Sequence, residues 1–199
     1  MYDTKNCALD QIHHFPSVEN GRINLSDFLK AANGLLSIIE SFGKIFTPVK
    51  NDMQGNIEKI QSILDYNNDS CLIELLVMEK LRGKSVAVDA TLWLNRALLF
   101  FELVFQEILN ETKLKNNDIN MKRIFNSAYK GSVKQYHSWT IQQLFSVICK
   151  LSPSYTQILK SFGSENDLEA FEAHLSKFNS TLHQVRSKID EFFVDNNSM

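Results

Sequence analysis

Glycine and proline are scarce, with seven and three among 199 residues. So few breakers exclude a sheet protein built on many tight turns and favour long helices. Cysteine is scarcer still. Cys7, Cys71 and Cys149 are odd in number and far apart, which supports neither a disulfide framework nor metal-ligand spacing and implies a reducing, cytoplasmic setting. Neither sign of charge is in excess. Lys plus Arg is 21 against 23 Asp plus Glu, a formal net charge of −2, and that argues against nucleic acid as the partner. Long apolar runs are missing too. The start, MYDTKNCALD, has no apolar segment of the signal-peptide kind. The greasiest stretch, Ala97 to Leu109, is interrupted by Glu102, Gln106 and Glu107, too short and too charged to span a bilayer. His13, His14, His137, His174 and His183 show no HExxH-like spacing. A glycine-rich phosphate loop and a nucleophile–base–orienter set are also absent. Enzyme chemistry is therefore disfavoured, and the residues call for no metal and no cofactor.

What the chain does hold is phenylalanine, 14 against 5 Tyr and 2 Trp. Phe brings a large apolar area with no polar tip, suited to an ordinary helical core or to the lining of something long and apolar. The length fits a single domain over 1–199, burying roughly 70% of the surface of its unfolded chain.

Residues 1 to about 22 lack a clean period and read as an N-terminal arm. From Asn24 to Ser41, Leu25, Phe28, Leu29, Ala32, Leu36 and Ile39 share one helical face, and Gly43 ends it. Phe46 to Leu64 follows, with Thr47 expected to cap and Pro48 at the first helical position. Its apolar stripe is Val49, Met53, Ile57, Ile60 and Leu64. A third helix is predicted over 70–82, with Leu72, Leu75, Leu76 and Met78 to Leu81 apolar. Ser85 to Glu111 is the longest pattern and apolar around most of its circumference, hence central. A capped start at Asp118 opens a helix running toward Tyr136-His137. Trp139 to Leu151 comes next, with Ile141, Leu144, Phe145 and Ile148 facing inward. A short helix over Tyr155 to Phe162 and a long one from Glu165 to about Phe193 complete an all-α chain of about eight helices.

Asp52, Asn56 and Lys59 stand at i, i+4 and i+7, one polar row beside the buried stripe of their helix. Such a row can grip a polar head whose apolar body lies inside, or it can simply face water. Trp93 has Arg96 three residues on and Asp89 four residues back. It is either a core residue or a flat platform on which the C–H face of a sugar stacks while hydroxyls bond to Asp and Asn. His137 can donate one hydrogen bond and accept another, or it can be a satisfied helix-end histidine. Trp139, near Lys134, suits a lipid-headgroup interface or a buried position equally.

The segments DMQGNIEK, LWLNR and KQYHSW, in that order and roughly 40 residues apart, resemble the glycolipid transfer protein family from about Asn24 to Phe162. The resemblance implies a two-layer all-helical sandwich with a hydrophobic pocket for lipid chains. It implies non-enzymatic movement of neutral glycosphingolipids between membranes by a monomer that touches the membrane transiently. Asp52 and Asn56 would then bond sugar hydroxyls, Asp52 also the ceramide amide N–H. Lys59 would donate to the sugar, Trp93 would stack under it, His137 would donate to the amide carbonyl, and Trp139 would face the membrane. Asp89 and Arg96 are possible rim residues. Asp89 departs from the aliphatic residue usual in animal members, and the region after Phe162 resembles the family only weakly. Ceramide-1-phosphate carriers place cations at the positions of Asn56 and Trp93, and this chain does not. Two alternatives stay open: transfer of ceramide-1-phosphate with Arg96 on the phosphate, and a helical sensor or adaptor that moves no lipid.

Overall fold

The computed structural model describes residues 13–62, 67, 69–114, 118–164 and 167–195. Within them lie eight α-helices in a two-layer helical sandwich: α1 Leu25–Ser41, α2 Thr47–Gln61, α3 Leu72–Leu81, α4 Val86–Lys113, α5 Met121–Gly131, α6 Trp139–Lys150, α7 Tyr155–Ser161 and α8 Leu168–Asp195. The described residues form no sheet. Two isolated bridges, Glu19 with Arg22 and Asn24 with Cys71, tie down the segment before α1. From residue 13 onward that segment is no free arm. Phe15 is buried, with its ring 5.9 Å from Phe28 and 5.7 Å from Phe178.

The α1 helix follows its sequence closely. Asn24 caps it by accepting from the Asp27 N–H at 2.9 Å. All six predicted apolar positions are buried. Gly43, at φ +104°, turns the chain out of it. The start of α2 differs from expectation. A 3₁₀ turn over Lys44–Phe46 runs straight into it, Thr47 already has helical backbone angles, and no side chain caps the end. A capping Thr needs extended backbone, which this continuous entry does not give. Met53, Ile57 and Ile60 are fully buried and Val49 partly so. Leu64 lies outside the described residues.

Helix α3 corrects the expected apolar run. Leu72, Leu76 and Glu79 are buried, whereas Met78 and Leu81 are exposed. Glu79 goes inward because its carboxylate accepts from the Ala87 and Val88 N–H groups at 3.0 and 2.8 Å. It thereby satisfies two orphan donors at the positive end of α4. Helix α5 starts two residues later than expected, with Asn120 as its cap in place of Asp118, and stops at Gly131. A Cβ at Gly131 would stand 3.2 Å from the Leu103 side chain, so glycine permits α5 to lie close to α4. The chain continues as a 3₁₀ turn over Val133–Tyr136 before Ser138 caps α6.

Helix α4 is the central element and packs most heavily against α8 and α2, then α5. Phe100, Phe101, Phe105, Phe125, Phe162, Phe171, Phe178 and Phe193 are among the largest fully buried side chains. Each carries on the order of 150–250 Å² of surface out of water. Among the described residues no helix is long and apolar enough to cross a membrane.

Candidate lipid-binding site

Three stretches distant in sequence meet around one cavity of about 510 Å³. Helix α2 contributes Pro48, Val49, Asp52, Asn56 and Lys59. Helix α4 contributes Trp93, Ala97 and Phe100. The 3₁₀ turn and α6 contribute Val133, Tyr136, His137, Ser138, Ile141, Leu144, Phe145 and Ile148. Polar groups thus gather on one part of the wall, with Phe100, Phe145 and Ile148 from the buried core on another. A volume of this order suits a small organic group.

Asp52, Asn56, Lys59, Trp93 and His137, the five residues singled out for a head group, all lie on this lining. Asn56 is buried, and its amide donates to the Asp52 carbonyl oxygen at 3.0 Å, which fixes its rotamer. Asp52 opens to solvent as a residue, yet its carboxyl is held above the ordinary range by its partly apolar surroundings. His137 and Lys59 pull it back down electrostatically. Burial lowers the His137 pKa, and the Asp52 charge opposes that shift, so the imidazole is neutral at pH 7. Its Nδ1 lies 3.1 Å from the Tyr129 hydroxyl. Gln142 donates to the His137 carbonyl at 2.9 Å and holds its backbone.

Trp93 is 37% exposed, which rules out a fully buried core role. Tyr136 stands edge-on to it, with ring centroids 6.3 Å apart and planes at 81°. The Arg96 guanidinium lies 3.6 Å from the Tyr136 centroid and 4.8 Å from the Trp93 ring, a cation–π contact with both. Neither Arg96 nor Asp89, the possible rim residues, is on the cavity lining. Asp89 is exposed in the first turn of α4, where a carboxylate favours the helix dipole. Arg96 turns its face to the two rings.

Trp139 is 74% exposed, so it stands outside the core. Ile141, Leu144, Val147 and Leu151 continue an exposed apolar strip along α6 and just past its end. Ile141 and Leu144, expected to face inward, do so only as cavity lining, and Phe145 and Ile148 make the true core contact. Sequence reasoning overlooked Tyr136 and Tyr129 as site residues. Tyr136 stands next to His137 and could have been found from that adjacency. Tyr129 reaches His137 across the end of α5, a turn the periodicity did not mark.

An all-helical sandwich with a polar cluster at an apolar cavity is the architecture of a lipid-binding carrier. The fold is shared with solved structures. The GLTP-fold structure of FAPP2, described as selecting simple glycosphingolipids, matches with a TM-score of 0.81 at 22% identity over 99% of this chain and 96% of that one. Mouse ceramide-1-phosphate transfer protein matches with a TM-score of 0.79 at 15% identity over 96% and 94%. In sequence, the chain is 30% identical over 180 residues to the glycolipid transfer protein of Aureobasidium melanogenum, covering 89% of this chain and 86% of that protein. The glycolipid transfer protein family matches residues 23–164, and the chain belongs to that family.

Proposed function

We propose that this protein carries neutral glycosphingolipids between membranes without chemical change to the lipid. The observation that carries this reading is the convergence of Asp52, Asn56, Lys59, Trp93 and His137 on one cavity, in a chain of this family. Asp52 and Asn56 would bond sugar hydroxyls, Asp52 also the amide N–H. Lys59 would donate to the sugar, Trp93 would stack beneath it, and His137 would donate to the amide carbonyl. The exposed strip of α6 headed by Trp139 would rest on the membrane. The protein would act as a cytoplasmic monomer whose one domain, residues 1–199, does all of this.

The energetics favour a sleeve with selectivity at the head. A ceramide has on the order of 30 CH₂ groups at about 0.8 kcal/mol each, so the free lipid is essentially absent from water. A carrier that replaces bilayer by Phe- and Leu-rich interior makes exchange near neutral. The 510 Å³ cavity would take the head and the start of the chains, and the core around Phe100, Phe145 and Ile148 would part to admit the rest. Each head-group hydrogen bond adds about 1 kcal/mol net. Asp52 and Lys59 offset each other in charge, which suits an uncharged sugar. Arg96, the candidate phosphate ligand, is stacked on Tyr136.

The test is transfer between vesicles. Glucosyl- or galactosylceramide is expected to move when the protein is added, and ceramide-1-phosphate to move much less. Equal or faster movement of the phosphate lipid would overturn the neutral-head reading. Tight binding of glycolipid with no movement of any lipid would make the protein a sensor.

A further inference from the structure

Tyr129 is 4% exposed and does not line the cavity. Its ring lies flat on Phe145, with centroids 4.0 Å apart and planes 7° from parallel, and Phe145 is itself part of the cavity wall. Its hydroxyl meets His137 Nδ1 at 3.1 Å and has no other hydrogen-bond partner among the described residues. A buried O–H needs an acceptor. Burial also pushes the phenol pKa up to about 12, so the proton stays on oxygen at neutral pH. Nδ1 is the acceptor that this O–H finds. A neutral imidazole whose Nδ1 lone pair is engaged carries its hydrogen on Nε2. The opposite arrangement, Nδ1–H donating to the phenol oxygen, would leave the phenol hydrogen without a partner among the described residues.

We infer that Tyr129 is a positioning residue that holds His137 as an Nε2–H donor, so that the site prefers lipids presenting an acyl carbonyl over single-chain lyso-glycolipids. This rests on the carrier reading and deepens it by naming the residue that presets the ring for the amide carbonyl. Phe145 fixes the plane of the phenol, the phenol fixes the imidazole tautomer, and Gln142 fixes the backbone beneath the ring at 2.9 Å. The ring is preset as a donor before the lipid arrives, so neither tautomer exchange nor rotation is left to the moment of binding. A donor facing an N-acyl carbonyl gains a bond. Facing the protonated amine of a lyso-lipid, which has donors and no acceptor, it gains none.

Two measurements test this on the full chain. The first is the two-bond ¹H–¹⁵N correlation spectrum of the imidazole in the unmodified, lipid-free protein. The Nε2–H pattern is expected for His137, and an Nδ1–H pattern overturns the inference without any variant having to fold. The second is Tyr129→Phe, which keeps the ring on Phe145 and deletes only the hydroxyl. The tautomer pattern of His137 should become mixed. Affinity for galactosylceramide should fall about 5- to 10-fold, the effect of leaving the ring ready to donate in only about 10–20% of molecules once its tautomer and rotamer are both released. Affinity for galactosylsphingosine, which has no acyl carbonyl, should stay within about 2-fold. An equal loss for both lipids, or no loss for either, overturns the role of Tyr129 while leaving glycolipid transfer standing. A protein that binds neither lipid overturns the carrier reading and the selectivity together, and the tautomer spectrum still reports whether the phenol sets the ring.

Discussion

Polar side chains gather along two flanks of helix α4, and the two flanks treat them in opposite ways. Against α8, Glu102 accepts from His183 Nδ1 at 2.7 Å and from Arg186, Arg186 also donates to Asp190, and Asn95 donates to Asp190 at 2.6 Å. Every charge in that seam meets an opposite charge or a donor. What it leaves over is neutral: Thr91 Oγ1, Asn95 Oδ1 and Asn179 Oδ1 are buried without a hydrogen-bond partner among the described residues. Toward α2 and α6 the polar groups border the cavity. There Asp52 is perturbed by burial and by the fields of His137 and Lys59, while no side chain among the described residues donates to its carboxylate. The difference separates scaffold from site. A set that neutralises itself fixes the register of two helices. A set whose carboxylate receives no side-chain donor is ready for something that is not protein.

The largest expected effect comes from breaking the closed set. In Glu102→Ala the Arg186 guanidinium, with its side chain 11% exposed, loses its inner partner. Removing one member of a buried pair costs about 3–5 kcal/mol, and the lower end applies because Asp190 still pairs with Arg186. Urea or thermal denaturation should show that loss, while the protein that remains folded transfers glycolipid at its usual rate. Lost transfer at undiminished stability would place the seam inside the site and dissolve the contrast.

The open set should respond the other way round, losing function rather than stability. Trp93→Ala removes the platform. Stacking on an aromatic side chain is worth about 1–3 kcal/mol, so affinity and transfer should drop about 10- to 100-fold, with Trp93→Phe intermediate. Stability should fall by less than the roughly 3–5 kcal/mol of a fully buried Trp, because one third of the residue is already exposed. Added glycolipid should shift and quench the tryptophan emission, and Trp93→Phe should remove most of that response. Trp139 would still report the membrane. A large loss of stability with normal transfer would make Trp93 plain core.

The same contrast explains which features could be read from the chain. The buried face of α1 and that of α2 through Ile60 follow from a 3.6-residue period. The polar row of Asp52, Asn56 and Lys59 follows from the same geometry, because a helix face is a local property. The inward turn of Glu79 does not. It depends on the free amides of Ala87 and Val88, which belong to the next helix. In sequence the run from Met78 to Leu81 therefore looked more apolar than the buried face is. The α4–α8 seam joins residues 81 and 84 positions apart, and its partners on α8 carry no motif. Tyr129 was hidden for a similar reason. Its value lies in an atom of His137 beyond the end of its own helix, and Gly131 breaks the period between them.

The smallest effect is the pH dependence of the lipid-free protein, and it sharpens the comparison by sign. Burial holds His137 below its ordinary value of 6.5. Between that value and the lower folded one, the unfolded chain binds more protons than the folded chain. The His137 contribution is therefore fully present above pH 6.5 and is lost as the pH falls through the folded value. Asp52 has the opposite sign. Burial, opposed by His137 and Lys59, raises it above 3.8, so the folded chain is the better proton acceptor there. Its charge is a net penalty above the folded value, relieved as the pH falls toward 3.8. Both groups are partly solvated, so each contribution is a fraction of the closed seam's. Difference curves of melting temperature against pH should separate them. His137→Gln should flatten the curve in the window just below pH 6.5. Asp52→Asn should raise the melting temperature slightly at pH 7 and lose that advantage toward pH 4, while glycolipid transfer is strongly reduced. A destabilised Asp52→Asn protein at pH 7 would mean that the carboxylate is satisfied by the fold like Glu102, and the distinction between the two flanks of α4 would fail at its central residue.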